Sequence, residues 1–218
     1  MFEFLDKFNE EKKKKLSPLL MLLGGVTGSG KSRIAGLTFP KKMKGCQITL
    51  ATEAHAYESA EKRCFHIPLH KKPTDSGWEE LDPVDQFEYL EELLTSNELA
   101  ERFDYVIVES GNMCSIFRQL GAYLGSKYNK AEILDQTYDK LFKWCSDLRD
   151  KGVHVIVTMP YFKTPAGDFI PTIIGRTGLY VAGQWPHRMY VSRTENETVW
   201  NCEAGMSKEL KIFFNKLL

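Results

Sequence analysis

The chain has 218 residues, 43% of them hydrophobic and 12% aromatic, enough to bury one substantial core and too few for two complete ones. Lys plus Arg and Asp plus Glu each number 29, so the formal charge is zero, which excludes a globally basic nucleic-acid binder and leaves any basic surface local. The five cysteines are scattered without a CxxC pair, which excludes a zinc ribbon or disulfide framework and suits a reducing cytoplasm.

In chain order, residues 1–18 are expected to form a terminal arm. Phe2, Leu5 and Phe8 recur near the helical period and Lys12 to Lys15 follow, the pattern of a short amphipathic helix with a charged end. Two readings stay open: a solvated arm, or one that docks on a neighbouring subunit while its lysines touch nucleic-acid phosphate. Leu16 to Val26 is too short to span a bilayer and reads as a buried strand, so no membrane partner is expected.

Residues 19–218 alternate short apolar runs with longer helical stretches, which predicts one α/β domain with a mostly parallel central sheet flanked by helices. Strands are expected at Leu19 to Leu23, Gln47 to Ala51, Tyr105 to Val108, Val153 to Thr158 and Arg188 to Ser192, with a weaker one at Thr198 to Cys202. Helices are expected at Lys31 to Thr38, Pro83 to Ser96 and Lys130 to Lys151. His66 to Pro83 reads as an exposed connection. Tyr161 to Gly183, with Pro165, Pro171 and four glycines, reads as a long functional or mobile loop.

Between the first strand and first helix stands Gly25-Val26-Thr27-Gly28-Ser29-Gly30-Lys31-Ser32, followed by Arg33, which fits GxxxxGK[ST] at every required position. Glycines suit this spacing because consecutive backbone N–H groups must turn inward around phosphate oxygens, in conformations that residues with side chains resist. Lys31 would reach the β- and γ-phosphates of ATP, Ser32 would give a hydroxyl oxygen to Mg2+, and the helix would present its positive end. This chemistry also needs a carboxylate near the metal and a group that activates water. Glu109 ends the apolar run Tyr105-Val106-Ile107-Val108 and is the candidate metal carboxylate; Glu53 follows Gln47-Ile48-Thr49-Leu50-Ala51-Thr52 and is the candidate general base. The carboxyl ends of parallel strands line one crevice, so both glutamates are expected to converge on the loop.

On these residues the chain resembles the RecA-like P-loop NTPases, especially phage-encoded nucleotide-binding proteins linked to single-strand annealing and recombination. Thr52-Glu53-Ala54-His55-Ala56 resembles their strand-end glutamate segment, Tyr105 to Ser110 their strand ending in Asp-Ser, and Val155 to Thr158 the next core strand, whose end senses the γ-phosphate. The resemblance implies ATP hydrolysis, a ring or filament of like subunits and a single-stranded DNA partner. Glu109 departs from the family's aspartate, and Met159-Pro160 stand where a polar sensor often follows the strand. Phe169 to Gly183 resembles the group's DNA-facing loop. In and around it Lys163, Arg176 and Arg193 are candidates to meet phosphates, and Tyr161, Phe162, Phe169, Tyr180 and Trp185 either to stack on bases or to serve as ordinary core residues. Arg176, Arg188 and Arg193 are alternatively candidates for an arginine finger. A packaging or translocation motor and a small-molecule kinase remain open as competing functions.

Overall fold

The computed structural model describes residues 18–26, 28–39, 41–49, 64–109, 130–163, 165, 169–171, 183–193 and 198–204. Strand β1 (Leu20–Gly25) is buried at every position, as a strand covered on both faces requires. Helix α1 (Lys31–Leu37), β2 (Gly45–Thr49) and β3 (Cys64–Pro68) follow, then a hairpin of β4 (Lys71–Thr74) and β5 (Gly77–Glu80). Helices α2 (Pro83–Thr95) and α3 (Asn97–Arg102) lead into β6 (Tyr105–Glu109). Helix α4 (Lys130–Asp150) leads into β7 (His154–Lys163), then β8 (Phe169–Pro171), β9 (His187–Arg193) and β10 (Thr198–Ala204).

The main sheet runs β10-β9-β1-β7-β6-β2-β3. Its six strands from β9 to β3 are parallel to their neighbours, while β10 pairs antiparallel with β9 and β8 antiparallel with the end of β7. Side chains alternate across a strand, so each apolar run feeds two cores. Met21, Leu23, Ile107, Ile156 and Met189 join Ile34 and Ala35 of α1 on one face. Leu20, Leu22, Val106, Val108, Val155 and Val157 join Leu90 and Leu94 of α2 and Leu141, Cys145 and Leu148 of α4 on the other. Each of these side chains is worth about 1.5–3 kcal/mol when fully buried, so the two faces together dominate the packing energy.

The helices begin and end for local reasons. Asp82 caps α2, its carboxylate accepting from the N–H groups of Val84 and Asp85 at 2.7 and 3.0 Å, and Pro83 supplies a ready-made first turn. Ser96 caps α3 in the same manner, accepting from Glu98 N–H at 3.2 Å. After α4 the chain turns at Gly152, whose φ of 97° suits glycine, and its N–H donates back to the Arg149 carbonyl at 2.8 Å.

The strands and helices expected between Leu19 and Cys202 are present within a few residues of their anticipated bounds, with β7 the exception. It continues past Thr158 to Lys163, beyond the last β6 pair, because β8 folds back and pairs with Tyr161 to Lys163. The expected exposed connection at 66–83 is instead the end of β3 and the β4–β5 hairpin, closed by Leu81 N–H donating to the His70 carbonyl at 2.8 Å. Among the described residues no helix is long and apolar enough to cross a membrane. The arm at residues 1–17 lies outside the described residues.

Candidate functional site

The glycine-rich segment occupies the turn between β1 and α1. Ser29 N–H donates to the Val26 carbonyl at 3.1 Å, making a tight turn, and Gly28 and Gly30 follow with φ of 80° and 90°, a region that glycine enters without strain. At Gly25 the obstacle is space. A Cβ there would lie 2.5 Å from both Ser29 Oγ and the Val191 carbonyl of β9, so the loop is pressed against the neighbouring strand. Lys31 Nζ donates to the carbonyls of Gly25 and Val26, each at 3.1 Å, which ties the ammonium back to the loop it follows. Ser32 is half-buried, Val26, Gly28 and Arg33 are exposed, and Thr27 lies outside the described residues.

Glu109 closes β6 and is 2% exposed. The register of β7 carries its position toward the loop: Thr158 pairs with Glu109 on one side and with Leu23 on the other, two residues before Gly25. Three strands of one sheet therefore form a single row, and β6 stands about 10 Å from β1. Ile107 faces α1 in the packed core, and alternation puts Glu109 on that same face, the face that carries Lys31 and Ser32. One carboxylate oxygen of Glu109 accepts from Gln47 Nε2 at 3.1 Å, and the other accepts from the Thr158 hydroxyl. Beyond Gln47, the hydroxyl of Thr49 at the end of β2 is hydrogen-bonded to His66 Nε2 of β3. Burial lowers the His66 pKa, with His70 and Lys71 adding to the effect, so the neutral imidazole is favoured there.

The chain matches no protein-family model and no curated protein.

The structure brings Gly25, Gly28, Ser29, Gly30, Lys31 and Ser32 together at one end of the sheet and places Glu109 at the same edge. Glu53 lies outside the described residues, although β2 ends at Thr49 on that edge. Arg176 and Tyr180 also lie outside them, as do the side chains of Phe162, Lys163, Phe169 and Arg193. Two proposed base-stacking residues are corrected. Tyr161 and Trp185 are 2% and 3% exposed and belong to the core, Tyr161 beside Tyr190 and Trp185 edge-on to Phe142. Aromatic side chains carry the same letters in a core and on a nucleic-acid platform, and strand β7 turns Tyr161 inward.

The departure at Met159 and Pro160 has a structural counterpart. The polar side chain is Thr158, on the Glu109 face, whereas Met159 packs into the opposite core. Gln47 escaped the sequence reading as a site residue. Its signal was available: an amide inside an otherwise apolar strand must find a partner when buried. A cavity of about 690 Å³ opens at the other edge of the sheet, among Pro18, Leu20, Arg149, Asp150, Pro186 and His187. It lies at the start of β1, whereas the glycine-rich turn follows the end of that strand.

Proposed function

We propose that this chain is a RecA-like P-loop ATPase that hydrolyses MgATP to ADP and phosphate and works on single-stranded DNA in phage-type recombination, annealing or repair. The observation that supports it is the joint placement of the Gly25–Ser32 turn and the buried Glu109 carboxylate on one sheet edge, separated by the single strand β7. The parallel sheet is compatible with a RecA-like fold, and the DNA partner and subunit ring or filament rest on the resemblance.

The residues present suit the nucleotide and its metal. Gly25 leaves no room for a side chain where backbone must approach phosphate, and Glu109 is a buried carboxylate that accepts from the Gln47 amide and the Thr158 hydroxyl. Among the described residues no cluster of three or more His, Cys, Asp or Glu side chains would hold a metal unaided. A magnesium ion that arrives with nucleotide phosphates needs only one or two protein ligands. Ser32 and Glu109 would hold it, Glu109 directly or through water. The chemistry a metal held there would supply is positive charge against the negative charge that builds on the phosphates in the transition state. The loop amides and Lys31 orient the phosphates, and Thr158 and Gln47 keep Glu109 in one rotamer. Glu53 takes the proton of the attacking water as its oxygen bonds to the γ-phosphorus and the bond to the bridging oxygen breaks, releasing ADP.

The test is phosphate release from MgATP without nucleic acid, with single-stranded DNA and with duplex DNA. Lys31→Ala should lower the rate about a hundredfold or more, the scale seen when one charge-stabilising donor is removed. Stimulation by single strands supports the recombination reading. Stimulation by duplex alone points to a translocation motor, and a phosphorylated small molecule in place of free phosphate points to a kinase.

A further inference from the structure

Strand β2 reads Gly45-Cys46-Gln47-Ile48-Thr49, and Gln47 in its centre is fully buried. A primary amide taken out of water costs free energy unless it is hydrogen-bonded, and an apolar side chain of that size would fill the same space. Its Nε2 meets Oε1 of Glu109, 62 residues away on the adjacent strand. Thr158 meets the other oxygen from the opposite side. The carboxylate is thus gripped between β2 and β7, with its plane fixed by two donors that come from different strands.

The charge type of the donors matters as much as their number. Lysine or arginine at position 47 would hold a carboxylate firmly but cancel its charge. An amide and a hydroxyl stabilise the ionised form without bringing a positive charge of their own. A glutamate also has one more rotatable bond than aspartate, so Glu109 has more orientations to suppress, and the grip from both sides suppresses them.

We propose that Gln47 is a positioning residue that fixes the orientation of the Glu109 carboxylate, and so sets how strongly Mg2+ is held with bound nucleotide. The inference deepens the nucleotide-site reading and rests on it. Gln47 acts through Glu109 and has no direct role with substrate.

The experiment measures ADP affinity by calorimetry on the full chain, in Mg2+ and in EDTA, for the unmodified protein and for Gln47→Met, with circular dichroism as a check on folding. Gln47→Met removes the donor at similar volume. The expected result is ADP affinity in EDTA within about twofold of the parent, together with a Mg2+ enhancement reduced about tenfold, as one charge-assisted hydrogen bond supports. A purely structural role would weaken binding equally in both buffers, and that outcome overturns the inference. Gln47→Asn is the companion variant should the methionine protein not fold: it keeps the amide but falls one methylene short, and the same selective loss is expected. A parent whose Mg2+-dependent ADP binding survives either substitution intact overturns the inference alone. A parent that binds no ADP overturns the nucleotide reading with it.

Discussion

Gly24 stands where the ring of Tyr161 leaves no space for a side chain: a Cβ there would come within 2.5–2.6 Å of three ring carbons. Tyr161 is itself buried, so the clash has no route to solvent. Gly24→Ala should therefore destabilise the protein by about 1–3 kcal/mol, the usual cost of overpacking a filled core, read as a lower urea midpoint. An unchanged midpoint would mean that the ring moves aside freely. The same residue scale shows what the sequence could disclose. Lys31 and Glu109 stand out as candidates because each is marked by its neighbours, one by a glycine spacing and the other by an apolar run that ends in an acid, and the placement of both at the carboxyl ends of parallel strands followed from that pattern. The Gln47–Glu109 bond did not, because it depends on which strand lies beside β6, and nothing near either residue specifies that. Tyr161 and Trp185 were misread for the reciprocal reason: composition identifies an aromatic side chain but not the face it takes.

At the scale of elements, the clearest local signals are the caps. Asp82 satisfies two N–H groups at the start of α2, and Asp82→Ala should cost about 1 kcal/mol, within a range of about 0.5–2, whereas Asp82→Asn should retain most of the stability. Chemical denaturation of the two variants side by side measures the difference. The α2 boundary was readable from Asp82-Pro83, and the α4 stripe from Tyr138, Leu141, Cys145 and Leu148 at helical spacing. The region before α2 was not. Strand β3 mixes exposed Phe65 with half-buried His66 and Ile67, so it carries no clean alternation, and Pro68 and Pro73 look like loop signals. Both prolines stand in places a sheet tolerates, one at the end of an edge strand and the other in a two-stranded hairpin. Helix α3 is six residues long with Leu99 as its buried apolar anchor, too short to impose a period on the sequence.

Across the whole molecule, β1 and β7 are fastened at their start by a histidine. His154 Nδ1 accepts from the Leu19 N–H at 2.9 Å, which requires the unprotonated nitrogen. Burial lowers the His154 pKa below its ordinary 6.5, against an opposing pull from Asp104, and His66 is lowered as well. A base whose folded pKa is depressed binds fewer protons folded than unfolded, so its contribution is intact above about pH 6.5 and is lost as pH falls through the folded value. Urea midpoints should therefore decline between about pH 7 and about pH 5.5, before most carboxylates titrate. His154→Gln, which keeps an acceptor but cannot gain a proton, should flatten part of that decline. An equal slope in the variant would assign the acid sensitivity elsewhere.

The order of strands has a further consequence for synthesis. Strand β1, which leads into the glycine-rich turn, lies between β7 and β9, and the hydrogen bond at its start, Leu19 to His154, joins residues 135 apart. A ribosome adding about 5–20 residues per second completes β1 on the order of ten seconds before either neighbour exists. During that interval Leu20 to Leu23 is an apolar strand with both edges open, the kind of segment that chaperones hold and that otherwise aggregates. The glycine-rich turn and the carboxylate of Glu109 are thus brought into one row by strands made late, so a truncated nascent chain would carry the glycine-rich sequence without the sheet that sets it beside Glu109.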